Sequence, residues 1–171
     1  MRRRSCVPPS RWRRETPILT SCPISGNTVA GVWHDGFGPD REKLALIETC
    51  VCELRELARP EHLGSDAREA RFVEHTLQIA IQASLDAASH IVSVRRLGEP
   101  ATNRALFDLL RRAGMLGDEL AESLYAMAGF HNVLVHGYQE VDLTIVEDIL
   151  ANHLGDLLRY VEAVRGALRP D

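Results

Sequence analysis

Apolar residues recur every three to four positions along most of the chain, in blocks separated by Pro and Gly, and this spacing predicts helices. Leu44, Leu46, Ile47, Val51, Leu54 and Leu57 form the first block, with Asp40 as its N-cap and Pro60 as its stop. The second block is long, from about Asp66 to Arg96, and its apolar positions cover more than one helical face. That breadth predicts burial on two sides, one against the rest of the bundle and one against a second subunit. Leu97-Gly98-Glu99-Pro100 reads as a turn, after which Thr102 caps a short helix through Leu106, Phe107, Leu109 and Leu110 that Gly114 closes. Gly117-Asp118 opens another helix carrying Leu120, Leu124, Met127, Ala128 and Phe130, with Gly137 placed to end it. A last helix starts at Asp142 with the stripe Val146, Ile149, Leu150, Leu154, Leu157, Val161, Val164 and Leu168. No segment alternates as a strand does. The pattern predicts an all-α fold, an antiparallel bundle of about five helices over residues 40–171.

Residues 1–39 break this rhythm. They hold Pro8, Pro9, Pro17 and Pro23 and lack sustained periodicity, which predicts a disordered basic extension. Its arginines suggest a transit peptide, but the paired prolines would break the amphipathic helix such a peptide needs. A translation start further downstream is the plainer account of this segment.

Charge is split along the chain. Residues 1–40 carry six arginines against Glu15, Asp35 and Asp40, a net of +3, while the remainder holds 14 basic and 21 acidic residues, a net of −7. An acidic body argues against bulk binding of duplex DNA, which needs many phosphates neutralised, but leaves room for a local site for one phosphate. Lys43 is the sole lysine. No apolar run is long enough for a membrane span. Cys6, Cys22, Cys50 and Cys52 match neither a disulfide framework nor a zinc spacing, which points to reduced thiols in a cytoplasmic protein.

The chemistry concentrates in Phe130-His131-Asn132-Val133-Leu134-Val135-His136-Gly137-Tyr138, at the end of an apolar helix. Two imidazoles titrate near neutrality without help, so one can take a proton and another give one. That suits RNA cleavage, in which the 2′-hydroxyl loses a proton and the departing 5′-oxygen gains one, with no metal or cofactor needed. Residues five apart on a straight helix sit about 140° apart, so His131 and His136 converge only if the helix ends near Val135 or if two subunits pool their copies. Blander roles compete. His131 alone on a helix is more often a hydrogen-bonded packing residue and Gly137 a helix stop, while Asn132 as a backbone cap and Tyr138 as a buried phenol weigh evenly against functional roles. His62, His75, His90 and His153 are scattered and read as structural or exposed. A metal-binding bundle using His75, His90, His131 or His136 is a weaker alternative, because no carboxylate–His pair has bundle di-metal spacing.

The motif resembles the signature of the HepT-like ribonuclease toxins of the HEPN superfamily: Arg, a polar residue, three positions, His, any residue, Tyr. His136 and Tyr138 fit, Asn132 fits the polar position, and His131 stands where the family has arginine. Asp40-Arg41-Glu42-Lys43-Leu44, Ala88-Ser89-His90-Ile91, Leu97-Gly98-Glu99-Pro100, Ala113-Gly114-Met115-Leu116, Met127-Ala128-Gly129-Phe130 and Glu140-Val141-Asp142 resemble further landmarks, so the likeness spans residues 40–168. The resemblance implies a HEPN-like dimer and a metal-independent endoribonuclease, the toxin of a type VII toxin–antitoxin pair. Its partner would be an MNT-type nucleotidyltransferase antitoxin that transfers AMP to Tyr138. The implied catalytic set is His136 as acid/base, Asn132 orienting it or the phosphate, and His131 in a weakened electrostatic role. A helix C-terminus would raise the charged fraction of His131, and Arg111 and Arg112 would add charge if their helix packs nearby. A binding module that keeps the dimer and the antitoxin contact without cleavage is the alternative.

Overall fold

The computed structural model describes residues 38–136 and 141–168. The N-terminal extension to residue 37, Gly137, Tyr138 and the side chain of His136 lie outside the described residues. The elements are α1 (Gly38–Leu57), a 3-10 turn (Pro60–His62), α2 (Ala67–Val94), α3 (Asn103–Arg112), α4 (Asp118–His136), α5 (Leu143–Asp148), a π-helical turn (Ile149–His153) and α6 (Leu154–Ala167). Among the described residues there is no strand, as the 3.6-residue periodicity predicts.

Three caps fall where the sequence places them. Asp66 accepts from the Arg68 amide at 2.8 Å, Thr102 from Ala105 at 3.2 Å and Asp142 from Thr144 at 2.9 Å. Gly114, at φ +75°, ends α3 with the paired bonds Gly114 N–H to the Arg111 carbonyl at 2.9 Å and Met115 N–H to the Leu110 carbonyl at 3.0 Å. At the end of α2 the left-handed position falls on Arg96 (φ 52°) rather than on a glycine. The Leu97 N–H closes that turn onto the Val92 carbonyl at 3.0 Å.

Asp40 is not the N-cap of α1. The helix begins at Gly38, and Asp40 lies in its first turn, fully buried, with both carboxylate oxygens 2.9 Å from His90 Nδ1 on α2. One turn further along, Lys43 Nζ donates to Asp86 at 2.7 Å. These two links bind α1 to α2 alongside the apolar contacts of Leu44, Ile47, Val51 and Leu54, all nearly inaccessible.

The wide apolar surface of α2 is used within the chain. The helix packs against α1, α3, α4 and α6, so its second apolar side has partners without a second subunit. Phe107 of α3 meets Tyr160 of α6 edge to face, with ring centroids 5.8 Å apart, and the Tyr160 hydroxyl donates to the Ser84 carbonyl of α2 at 3.0 Å. Burial, and then the nearby Asp40 charge, push the Tyr160 phenol far above its ordinary value, so it stays a donor. At the far end Glu48 and Arg165 form a forked pair, with Arg165 Nη2 2.7 Å from the carboxylate, and Arg95 donates to the Ala167 carbonyl.

The last helix is interrupted. Ile149 and Leu154, five residues apart, are both buried, and an i→i+5 turn is what keeps two such positions on one face. His153 braces the turn, with Nδ1 2.9 Å from Asp156 and Nε2 3.5 Å from Asp148. Cys50 is buried, and burial followed by the Glu53 charge raises its thiol to about 11. Cys52, two residues on, is half-buried. No helix among the described residues is long and apolar enough to cross a membrane.

Candidate functional site

α4 carries the motif, and its packing sorts the motif residues by face. Ala121, Leu124, Ala128 and His131 follow i, i+3, i+7 and i+10 and form the buried stripe. His131 is 5% exposed, so periodicity rather than chemistry dictates where its ring goes. Asn132 is exposed, as are Val133 at 49% and Val135 at 45%. His136 is the last residue of α4. His131 therefore belongs to the core face of α4, and His136 is placed only as the residue that ends the helix.

His131 faces a polar cluster between α1 and α2. Burial pushes the Asp86 carboxyl up. Hydrogen bonds from Lys43 and Gln82 and the charges of Lys43 and His131 outweigh this and hold it below the usual carboxylate value. Gln82 Nε2 donates to Asp86 at 2.6 Å. The lone lysine of the sequence is thus spent on a structural pair and not on a surface patch.

The neighbour of Asn132 is Asn103, at the start of α3, whose Nδ2 lies 3.4 Å from Asn132 Oδ1. Antiparallel packing across the short Ala113–Gly117 connection sets this contact: the start of one helix meets the end of the next. Arg111 and Arg112 sit at the opposite end of α3, so they do not supply charge to the motif. Arg111 donates to Asp118 and to Asp108 at 3.0 Å each, and Arg112 lies 2.8 Å from Asp108. Hydrogen bonds to Asp118, Asp108 and Tyr125 raise the Arg111 pKa further, so its charge is permanent but already matched.

The scattered histidines have structural settings. His90 pairs with Asp40, and His153 pairs with Asp148 and Asp156. Among the described residues no three His, Cys, Asp or Glu side chains converge as metal ligands, so the metal-bundle alternative finds no site there.

Burial raises the Asp156 carboxyl, but bonds from Ser123 and His153 and the charges of Arg159 and His153 bring it below its ordinary value, as happens at Asp86. A carboxylate with a depressed folded pKa contributes stability above its unfolded pKa of about 3.9 and loses it as pH falls through the folded value. Stability should therefore drop on acidification below about pH 4. The Asp86→Asn/Asp156→Asn double variant should show a shallower decline. Urea unfolding between about pH 2 and pH 5 checks this, and equal slopes for both proteins would refute the assignment.

The pattern of the Ribonuclease HepT-like family matches residues 44–164. The chain is 29% identical over 124 residues to an mRNA nuclease HepT of Shewanella oneidensis, covering 72% of this chain and 93% of that one. It is 33% identical over 129 residues to a tRNA nuclease HepT of Aphanizomenon flos-aquae, covering 74% and 87%. A solved structure of a tri-AMPylated Shewanella oneidensis HEPN toxin in complex with an MNT antitoxin superposes with a TM-score of 0.71 at 28% identity, covering 75% of this chain and 98% of that one. With the helical order, the capped turns and the motif at the end of α4 in place over the same span, the chain belongs to the HepT-like ribonuclease family.

Proposed function

We propose that this chain is the toxin of a toxin–antitoxin pair, an endoribonuclease that cleaves RNA and is held in check by a nucleotidyltransferase antitoxin. The observation that carries this is the placement of Asn132 and His136 at the end of α4, with Asn132 solvent-facing and tied to α3, in a family whose relatives are named as nucleases. His136 takes the proton of a ribose 2′-hydroxyl. The freed oxygen attacks the adjacent phosphorus, and the 5′-oxygen leaves with a proton from a second imidazole. The products are a 2′,3′-cyclic phosphate and a 5′-hydroxyl. The second imidazole is His136 of another copy in a homodimer, because His131 points to the core face. The exposed Val133 and Val135 beside the motif give that dimer an apolar contact. Such a pair acts in the cytoplasm. The test is cleavage of RNA by the purified chain with a chelator present; an inert dimer defeats the reading.

Regulation falls to Tyr138, two residues past His136. A Shewanella relative is AMPylated and bound to an MNT antitoxin. An adenylate on Tyr138 would place a bulky anion beside the acid/base histidine and repel an incoming RNA phosphate. With the cognate nucleotidyltransferase, ATP and magnesium, the motif peptide should gain adenylate mass, and Tyr138→Phe should not. Adenylate on a serine or threonine elsewhere would end this assignment.

One observation favours a second reading. The residue in the family's arginine position is a buried histidine. A HEPN binding module that dimerises and holds the antitoxin without cutting RNA would keep the fold and lose that charge. It predicts antitoxin binding with no cleavage.

A further inference from the structure

A cavity of about 330 Å³ opens between α3 and α4, lined by Thr102, Arg104, Asp108, Arg111, Glu122 and Tyr125. Its volume lies at the lower end of the roughly 300–1,000 Å³ range of small-ligand pockets. The Arg104 guanidinium carbon stands 4.4 Å from the centre of the Tyr125 ring. Tyr125 is 7% exposed and its ring closes one side of the guanidinium, while the Arg104 side chain is 65% exposed. Arg104 is also the lightly held arginine of the group. Its carboxylate contact is Glu122 at 4.0 Å, both side chains well exposed, whereas Arg111 and Arg112 are bound at 2.8 to 3.0 Å.

The charges decide what fits. Arg104, Arg111 and Arg112 are balanced by Asp108, Asp118 and Glu122, so the pocket is no phosphate trap. What it offers is a planar cation already stacked on an aromatic ring, with a free outer face and an acceptor at the rim. Arginine planes and aromatic rings are the groups that hold unpaired bases in RNA-binding proteins. Glu122 can accept from an exocyclic amino group, and it repels groups without donors. The site is also in register with the motif. Asn103, next in sequence to Arg104, touches Asn132, and Tyr125 lies seven residues before Asn132, about 10 Å along α4.

We infer that the Arg104–Tyr125 stack is a base-binding subsite for a single-stranded RNA, holding an amino-bearing base of a nucleotide near the one at the motif. The inference rests on the RNA-cleaving reading for the course of the strand, and on the cavity and the stack for the base. The base lies on the outer face of Arg104 and extends the stack by one layer. Glu122 selects it, and the Asn103–Asn132 contact keeps the subsite at a fixed distance from the cleavage residues.

The test uses the full chain and fluorescent oligonucleotides with 2′-O-methyl riboses, which cannot be cleaved by attack of the 2′-oxygen. Binding is read by anisotropy for an adenine-rich and a uracil-only strand, beside cleavage of unmodified RNA. Arg104→Ala should weaken binding of the adenine-rich strand about tenfold. Arg104→Lys, which keeps the charge and loses the plane, should recover little of it, and Glu122→Gln should narrow the preference for adenine over uracil. Unchanged helical circular dichroism keeps these effects local. Undiminished binding by Arg104→Ala, full recovery with lysine, or no binding by the native chain would each overturn the subsite. So would displacement of the strand by free AMP at the strand's own concentration, which would mark a mononucleotide site. Cleavage insensitive to Arg104 would leave the nuclease reading standing and remove the subsite. Arg104-dependent binding without cleavage would do the reverse.

Discussion

His136→Ala should lower RNA cleavage by about 10²–10⁴-fold, the range expected for loss of a positioned acid/base group. The loss should appear in the turnover rate with little change in RNA binding, because one imidazole at a helix end adds little to affinity. His131→Arg should act in the opposite direction. From the buried stripe of α4 the imidazole lies within electrostatic reach of Asp86. Arginine is longer, can lay its methylenes along the same surface and carry a permanent forked cation outward. Cleavage should rise, because the arginine keeps its charge at every pH of the assay. The double variant should be as inactive as His136→Ala alone. Single-turnover cleavage at several pH values, with a chelator present, separates the cases. If His131→Arg leaves an active enzyme unchanged or inactivates it, position 131 does not stand in for a phosphate-binding arginine.

The bundle was legible because its apolar spacing and its caps agree. Asp66, Thr102 and Asp142 each sit before an apolar run and cap it, Thr102 as read and the two aspartates at the starts read for their helices. The departures share one cause: a local signal overruled by packing. Asp40 has the look of an N-cap, yet His90, fifty residues away, draws it into the interior. The stripe through Ile149, Leu150 and Leu154 reads as an unbroken helix, and the π turn is defined only when α6 must seat Leu157 and Val161 in the same core. The breadth of the apolar surface on α2 reads equally well as a dimer face, and only the arrangement of α1, α3, α4 and α6 around it shows where it is used.

The candidate site was legible as a motif and less so as a geometry. Periodicity alone could have placed His131 with Leu124 and Ala128 on the core side of α4, since it falls seven and three residues after them. Arg104 and Asn103 carry no motif signal. They become relevant because a short connection folds α3 back along α4 and sets the start of one against the end of the other. Arg111 and Arg112 fail for the same reason: the antiparallel hairpin sends them to the wrong end.

Phe107→Ala should be the most damaging single substitution in the bundle, costing about 3–5 kcal/mol. Phe107 is wholly buried, and its ring meets Tyr160 edge to face at 82°. Its removal opens a cavity and frees Tyr160, whose hydroxyl bond to the Ser84 carbonyl is what ties α6 to α2 at this level. For a domain of this size each 1 kcal/mol corresponds to roughly 2–8 °C, so the melting temperature should fall by roughly 6 °C or more. Phe107→Leu keeps most of the volume and should cost clearly less. The two variants also separate packing from function. α3 carries Asn103 and Arg104 to the motif side of α4, so a loosened α3 should weaken RNA binding at temperatures where α1, α2 and α6 remain helical. If Phe107→Ala costs less than about 1 kcal/mol, the Phe107–Tyr160 contact does not anchor α3. The register between the base subsite and the motif must then come from the Asn103–Asn132 contact and the Arg111–Asp118 pair alone.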